Sequence, residues 1–410
     1  MIYDIHHLKQ KINHYLSSLN NNLSTEDIVN IFFNKNAFTS LLENIINIIM
    51  LAERDLFVQN NPGEVKNGFH NKILNTKYDK LTLSVPRTRT SNFRPVILPE
   101  KYKRTDDSFF DMLKTLIASG CSKNNIIHIL KQYNISFSDD VYQQIAEDIE
   151  TKMNDFKSKE LPEEMAFVFI DGYVCDIKDI EKNKVKQACI YTVIGIDFDG
   201  NKQILGYFTV FGAENKSDWL KIFHDLVNRG LKKIFMIICD DFSGITEAIR
   251  SIYPKTYIQK CCLHLVRNIK RKLAKEDAKE FIKEFKMIKE SKNYDEGEER
   301  FKRLCDKFSE KYKSYMEMIK GKVKEYLAFL KFPEEVRKYL HSTNIVENFN
   351  GLIEKERIRL GGYFQSQKIA DRIVYLKIEH LHNKVWNKPI PMIASKRYEI
   401  SQMFELTFGK

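Results

Sequence analysis

The chain has 410 residues, with 66 lysines and arginines against 55 aspartates and glutamates, for a formal net charge of +11. Its 43% hydrophobic content supplies a sizeable core and excludes whole-chain disorder, and its length predicts two to three domains at roughly 150 residues each. No apolar run approaches the roughly 18 residues of a membrane helix, and Met1-Ile2-Tyr3-Asp4 opens no secretory signal. The seven cysteines are scattered, which fits a reducing cytosol better than a disulfide framework.

In chain order, residues 5–19 and 25–58 read as helical, with Leu41, Leu42, Ile45, Ile46 and Ile49 at three- and four-residue spacing. Asn60-Asn61-Pro62-Gly63 breaks that pattern. Lys80 to Val85 alternates as a short half-buried strand with Leu81, Leu83 and Val85 on one face. A basic, poorly helical stretch follows, through Pro86-Arg87-Thr88-Arg89 and Phe93-Arg94-Pro95. Three helices are predicted over 106–156, the second beginning near a Ser122 cap and the third near Ser138. The turn at Ala118-Ser119-Gly120 resembles a helix-turn-helix, a spacing also common in bundles.

At Ala166 the pattern changes. Buried strands are expected at Ala166–Ile170, Ala188–Ile196 and Gln203–Phe211, the last two joined by a turn at Asp197-Phe198-Asp199-Gly200. A helix from Ser217 to Arg229, a strand from Ile234 to Cys239, a helix from Ser243 to Ile252 and a strand from Tyr257 to Gln259 follow. The order β-β-β-α-β-α-β predicts a mixed α/β sheet, an antiparallel meander continued by right-handed crossovers. Residues 262–340 then read as almost wholly helical, and a final helical region begins near Asn344.

Resolved by segment, the net charge is +8 over 66–104, −6 over 105–165, +1 over 166–266 and +7 over 267–340. Concentrated blocks of this kind suit contact with phosphates, because each cation placed on a phosphate releases counterions. For 267–340, where both signs are interspersed, a solvated helical face fits equally well. The acidic balance of 105–165 argues against broad DNA contact there.

Three groups of residues carry chemistry. Asp171 and Asp240 each follow an apolar strand, and the topology can bring those strands side by side. Two adjacent carboxylates repel unless a divalent cation lies between them, and Mg²⁺ suits such oxygen ligands. A simple Asp-Gly turn at 171–172 is the alternative. Asp241 competes with Asp240, which the end of the apolar run favours. Second, Cys261-x-x-His264 offers two zinc ligands where a structural site needs four, so no zinc is expected. Third, Glu347 follows Ser342-Thr343-Asn344 by a few residues. It is either the partner of Asn344 in a capping box or a third carboxylate carried by a helix, and spacing does not choose between them.

Taken together, Asp171-Gly172, Asp240-x-x-x-Gly244, Gln259-x-Cys261-x-x-His264-x-x-Arg267-Asn268 and Thr343-Asn344-x-x-Glu347 resemble the pattern of the Mutator-type insertion-sequence transposases. The resemblance extends to Lys66-Asn67-Gly68, Val85-Pro86-Arg87-x-Arg89, Phe93, Leu98-Pro99-x-x-Tyr102, Asp218-Trp219 and Arg229-Gly230-Leu231, in order across about residues 41–385. It departs at Asp241, where a small residue is usual.

The resemblance implies a DDE transposase with an α/β RNase H-like catalytic core, a mixed sheet interrupted by an all-α insertion, and a mainly α-helical N-terminal DNA-binding region. The implied divisions are 1–65 helical, 66–104 a basic DNA-contact segment, 105–160 helix-turn-helix-like, 161–264 the first part of the core, 265–340 the insertion, and 341–410 the rest of the core. Asp171, Asp240 and Glu347 would be the catalytic and metal-binding carboxylates, holding two Mg²⁺ or Mn²⁺ ions, with Cys261, His264, Trp219 and Asn344 in support. Trp219 also reads as a core anchor. Arg87, Arg89, Phe93, Arg94, Lys101, Lys103, Arg104 and Arg267 are the expected DNA contacts. The implied partner is double-stranded DNA, transposon ends and target, bound by a homodimer or larger assembly in the cytoplasm at the nucleoid, with no membrane. A transposase-derived DNA-binding protein without catalysis, or an RNase H-like nuclease on branched or hybrid nucleic acid, are the competing readings.

Overall fold

A computed structural model describes residues 10, 35–76, 80–90, 92–98, 107–132, 139–179 and 184–409. The expected DNA contacts Lys101, Lys103 and Arg104 lie outside these residues, as does nearly all of the helix expected at 5–19. The chain divides into two compact units between Ile149 and Glu150. Among the described residues no helix is long and apolar enough to cross a membrane.

In the first unit, the apolar spacing around Leu42 and Ile46 forms helix α1 (Lys35–Asn60). It packs with Met50 against Leu74, Leu81, Leu83 and Val85 of an antiparallel ribbon, β1 (Lys66–Asn75) and β2 (Lys80–Thr88). Helix side chains also cover the outer edge of β2. The Thr82 amide donates to the Glu43 carboxylate and the Ser84 amide to Asn47 Oδ1 at 2.9 Å. Four residues along a helix and two along a strand both advance about 6 Å, so one row of side chains serves alternate amides. Phe93 is buried with its ring 5.4 Å from that of Phe57. Its expected role as a DNA contact is therefore corrected: an aromatic in a basic stretch has been drawn into the core to cover apolar surface.

Helices α2 (Asp107–Ala118), α3 (Lys123–Gln132) and α4 (Asp139–Ser158) match the three predicted. Leu113, Ile117, Ile126, Leu130, Ile145 and Ile149 form their common core. Ser122 Oγ accepts from the Asn125 amide at 3.3 Å, the cap its position suggested.

The second unit is built on a five-stranded mixed sheet in the order β5-β4-β3-β6-β7, with β3 Glu164–Asp179, β4 Lys184–Ile196, β5 Lys202–Phe211, β6 Lys233–Cys239 and β7 Tyr257–Lys260. The first three strands pair antiparallel, and β6 and β7 join parallel. Both faces are covered. Val168, Ile170 and Ile237 pack on α5 (Lys216–Asn228) and α6 (Ile245–Ile252) with Trp219 and Phe223. Phe167, Phe169 and Ile238 pack on the opposite face against helices that follow in the chain. These are α7 (Cys262–Lys272), α8 (Lys275–Lys289), α9 (Tyr294–Gly321), α10 (Val323–Tyr326), α11 (Glu334–Leu340), α12 (Asn344–Arg359), α13 (Gln367–His380), α14 (Pro391–Ser395) and α15 (Arg397–Phe408).

One strand departs from expectation. β3 does not stop at Ile170 but runs on to Asp179, so Asp171-Gly172 is not a turn. β4 keeps pairing with it from Asp171↔Thr192 to Asp179↔Lys184. Gly172 permits this close approach, since a Cβ there would meet Cys189 Sγ at 2.7 Å and the Tyr191 ring at 2.9 Å.

Candidate active site

Asp171 and Asp240 meet because β3 and β6 run parallel in register. Ile170 pairs with Cys239, and each carboxylate is the next residue along. Asp171 sits in mid-strand, buried, its Oδ1 accepting the Gly172 amide at 3.0 Å. Asp240 follows the last residue of β6, and its Oδ1 accepts the Asp241 amide at 2.7 Å. The neighbouring carboxylate is engaged elsewhere. Asp241 pairs with Lys260 Nζ at 2.8 Å and with Lys322, and these cations hold its carboxyl below the usual range against the opposing effect of burial. The ambiguity of one position thus has a structural counterpart, with Asp241 tied to a buried lysine and Asp240 facing His264.

Glu347 reaches the same place on the first turn of α12. Arg267 holds it with two hydrogen bonds, Nη1 to Oε1 at 2.8 Å and Nη2 to Oε2 at 3.0 Å. The capping-box reading is corrected here. The residue preceding α12 is Thr343, and its hydroxyl donates to Cys261 Sγ at 3.5 Å instead of capping the helix. The Glu347 side chain goes to Arg267, and Asn344 is exposed.

His264 lies between the carboxylates, Nδ1 3.8 Å from Asp240 Oδ1 and Nε2 4.0 Å from Glu347 Oε1. Nε2 also lies 3.0 Å from Arg267 Nη1. Arginine only donates, so this contact is a hydrogen bond only for a ring that leaves Nε2 unprotonated. Burial disfavours a second proton, but Cys261, Asp240 and Asp171 outweigh it and raise the imidazole pKa to about 9. Taking that proton at Nε2 would break the Arg267 contact. Asp171 shows the opposite balance. Burial pushes its carboxyl up to about 7, with help from Glu347 and Asp240 and against His264 and the Gly172 amide.

Carboxylate oxygens are the donors a hard divalent cation prefers, and one of the three carboxylates, Asp171, is buried, with its pKa pushed up to about 7 chiefly by that burial. Glu347, however, commits both oxygens to Arg267. Among the described residues no three His, Cys, Asp or Glu side chains are gathered closely enough to hold an ion as they stand. Arg267, expected as a DNA contact, is in this structure the partner of Glu347.

The supporting motif residues act by fastening elements together. Cys261 is buried, and the next amide, Cys262 N–H, donates to His341 O at 2.9 Å, joining the start of α7 to the segment before α12. Burial would raise the Cys261 thiol, but hydrogen bonds with His264 and Thr343 bring it below its ordinary value. Trp219 is a core anchor, its ring centroid 4.5 Å from that of Tyr191 and 5.2 Å from that of Phe242. Gln259 is a buried clamp that sequence reasoning missed. Its side chain donates to Tyr326 O at 2.8 Å and accepts the Phe329 amide at 2.8 Å, pinning a later helical segment onto β7. A polar residue inside a four-residue buried strand is the signal that could have found it.

In the first unit, Arg87 and Arg89 are exposed and Arg94 is half-buried. Arg87 Nη2 donates to Phe69 O at 3.3 Å. Phe69, 48% exposed, is the aromatic this region presents to solvent.

The family model for transposases of the Mutator family matches residues 13–388. The transposase of insertion sequence element IS905 from Lactococcus lactis is 27% identical over 328 residues, 78% of this chain and 82% of the relative. That of IS1201 from Lactobacillus helveticus is 24% identical over 363 residues, 85% of this chain and 97% of the relative. That of IS256 in transposon Tn4001 from Staphylococcus aureus is 25% identical over 355 residues, covering 84% and 90%.

Proposed function

Because the chain belongs to the Mutator family of transposases, we propose that it is a DDE transposase that cleaves DNA at the ends of its element and joins the freed 3′-OH to target DNA. Asp171, Asp240 and Glu347 are the catalytic carboxylates of an RNase H-like core, residues 161–264 and 341–410, with 265–340 as its helical insertion. The observation that supports this reading is the meeting of three carboxylates from β3, β6 and α12 around His264 and Arg267.

Two Mg²⁺ or Mn²⁺ ions would supply the Lewis acidity that activates the attacking oxygen and stabilises the leaving one. Asp171 and Asp240 offer adjacent oxygens fixed by the register of parallel strands. Glu347 would complete the set once freed from Arg267. Arg267, more than half exposed, could then take a DNA phosphate in place of the carboxylate. His264 stays between the carboxylates and orients them. Two element ends must be held together for joining, so the assembly on DNA is a dimer or larger.

The test uses the full-length chain, Mg²⁺ or Mn²⁺, and a duplex carrying the inverted repeats that flank the coding region. Wild type should nick the duplex and join a pre-cleaved end to a plasmid, and Asp171→Asn should do neither while still binding. Equal cleavage by the two proteins would refute the carboxylate assignment. Nicking without joining would point to a nuclease.

A further inference from the structure

The β1–β2 ribbon has an unusual distribution of exposure. Its far end is ordinary, with Leu74 and Leu81 buried opposite each other on α1. Its near end is not: Lys66, Asn67, Gly68, Phe69, His70 and Asn71 are all exposed, although alternate residues of a strand point to opposite faces. At this end β1 touches α1 through Lys66, whose Nζ lies 2.7 Å from Asp55 Oδ1, and through the Phe69 ring, 5.2 Å from the Arg54 guanidinium, while Asn67, His70 and Asn71 stay exposed, and among the described residues the strand pairs with β2 alone. The other edge of the ribbon, on β2, is closed by Glu43 and Asn47. The ribbon is fixed along one edge and projects along the other.

A projecting strand of this kind invites pairing with other chains unless its residues discourage it. Here Gly68, at φ +58°, lies in a register shift between Lys66 and Phe69, and Asn67, His70 and Asn71 nearby are exposed and polar. Basic side chains lie close enough to disfavour one another's charge. The charge of His70 is disfavoured first by burial, then by Arg87 and Lys72, and that of Lys72 by burial and then by Arg94. Such a cluster is relieved by a polyanion.

We propose that this ribbon enters the major groove of double-stranded DNA, where Asn71 and Asn67 read base edges and Arg87 and Arg89 hold the flanking phosphates. The inference rests on the reading of the protein as one that binds transposon-end DNA, and it names the element that recognises the sequence. Two strands about 4.8 Å apart fit a groove about 12 Å wide, whereas the minor groove, about 6 Å wide, does not admit them. Asn67 and Asn71 are four residues apart, about 13 Å along a strand, close to four base-pair steps of about 3.4 Å. A carbonamide offers one donor and one acceptor, the complement of the adenine edge in that groove. An acidic protein would satisfy the cations but would leave the asparagines without a purpose.

The experiment is selection of binding sites by the full-length chain from a pool of randomised 30-base-pair duplexes. Wild type should enrich one motif. Asn71→Ala should enrich the same motif with one base-pair position relaxed and roughly tenfold weaker discrimination there. Arg87→Ala should weaken binding to every sequence and reduce the salt dependence by about one unit of slope. A second measurement leaves the protein untouched. Replacing adenines of the selected motif by 7-deazaadenine removes the major-groove N7 acceptor and should lower affinity at the Asn71 position in wild type but not in Asn71→Ala. An identical motif from wild type, Asn71→Ala and Asn67→Ala, or indifference to 7-deazaadenine, would overturn the ribbon proposal alone. Enrichment of no motif by wild type would overturn the transposon-end reading with it.

Discussion

At the carboxylate site Glu347 meets Arg267, Asp241 meets Lys260 and Lys322, and Asp240 faces His264. On the β-ribbon Lys66 meets Asp55, but a charge on His70 is opposed by burial and then by Arg87 and Lys72. The two regions therefore stand in opposite relation to their ligands. A self-neutralised site must break an ion pair before it accepts a metal, so its own contacts oppose binding. A cluster of like charges is costly alone and is relieved when phosphates arrive, so its electrostatics drive binding.

The largest effect expected from breaking this contrast is on chemistry. Asp240→Asn should slow metal-dependent nicking on the order of 10³-fold or more, with DNA affinity little changed, because one proposed metal-binding carboxylate becomes a neutral amide. Asp241→Asn should leave much of the nicking rate and reduce stability instead. Gel assays of nicking beside thermal melts separate the two neighbours, and equal loss of activity in both would erase the distinction between them. On the ribbon, Arg87→Ala/Arg89→Ala should weaken duplex binding and make the salt dependence shallower by about two units of slope, measured by anisotropy across salt concentrations.

A smaller effect is expected from Lys260→Met. Lys260 is fully buried and its Nζ also donates to Thr246 Oγ1 at 2.9 Å. Its loss leaves Asp241 with Lys322 alone, at a cost of about 1–3 kcal/mol, reduced from a fully buried pair by the partial exposure of Asp241. Denaturant unfolding measures it, and an unchanged midpoint would show that the pair contributes nothing.

The smallest effect is the dependence on pH without metal. The Asp171 pKa is raised from 3.8 to about 7 on folding, so between these values the unfolded chain has released a proton that the folded chain keeps. Stability from this group is greatest below pH 3.8, falls as the pH rises to about 7, and is level above. His264, raised from 6.5 to about 9 in part by Asp171 itself, adds a further fall across that higher window, a smaller one in the variant. Asp171→Asn in EDTA should therefore melt a few degrees above wild type at pH 8 and converge with it toward pH 4. Melting curves that differ equally at both pH values would remove the carboxyl as the cause.

Much of the sheet was legible because its strands are short, apolar and bounded by turn residues. What the sequence hid were features that depend on a partner strand or helix. β3 continues past Asp171 because β4 pairs with residues 171–179, where the apolar run of β3 has already ended. β1 escaped because its first six residues are exposed and show no alternation. Phe93 looked available because it stands among arginines, and the ring it packs against, Phe57, is distant in sequence. Asp171, Asp240 and Glu347 were named from the family resemblance, but the tether of Glu347 to Arg267 was not foreseen. Arg267 and Glu347 are far apart in the chain, and no local pattern marks a hydrogen bond between them.

The length of β3 has a mechanical consequence. Asp171 sits in the middle of a beam supported on both sides, with β4 alongside through residue 179 and β6 alongside up to residue 170. Asp240 stands one residue beyond the end of β6, and Glu347 rides on a helix packed on the sheet through Val346, Phe349 and Ile353, its longer side chain reaching the site where Arg267 holds the carboxylate. The three carboxylates thus differ in compliance. Any change in their spacing as a metal or a phosphodiester is accommodated falls on Asp240 and Glu347, with Asp171 as the fixed point from which their displacements are measured.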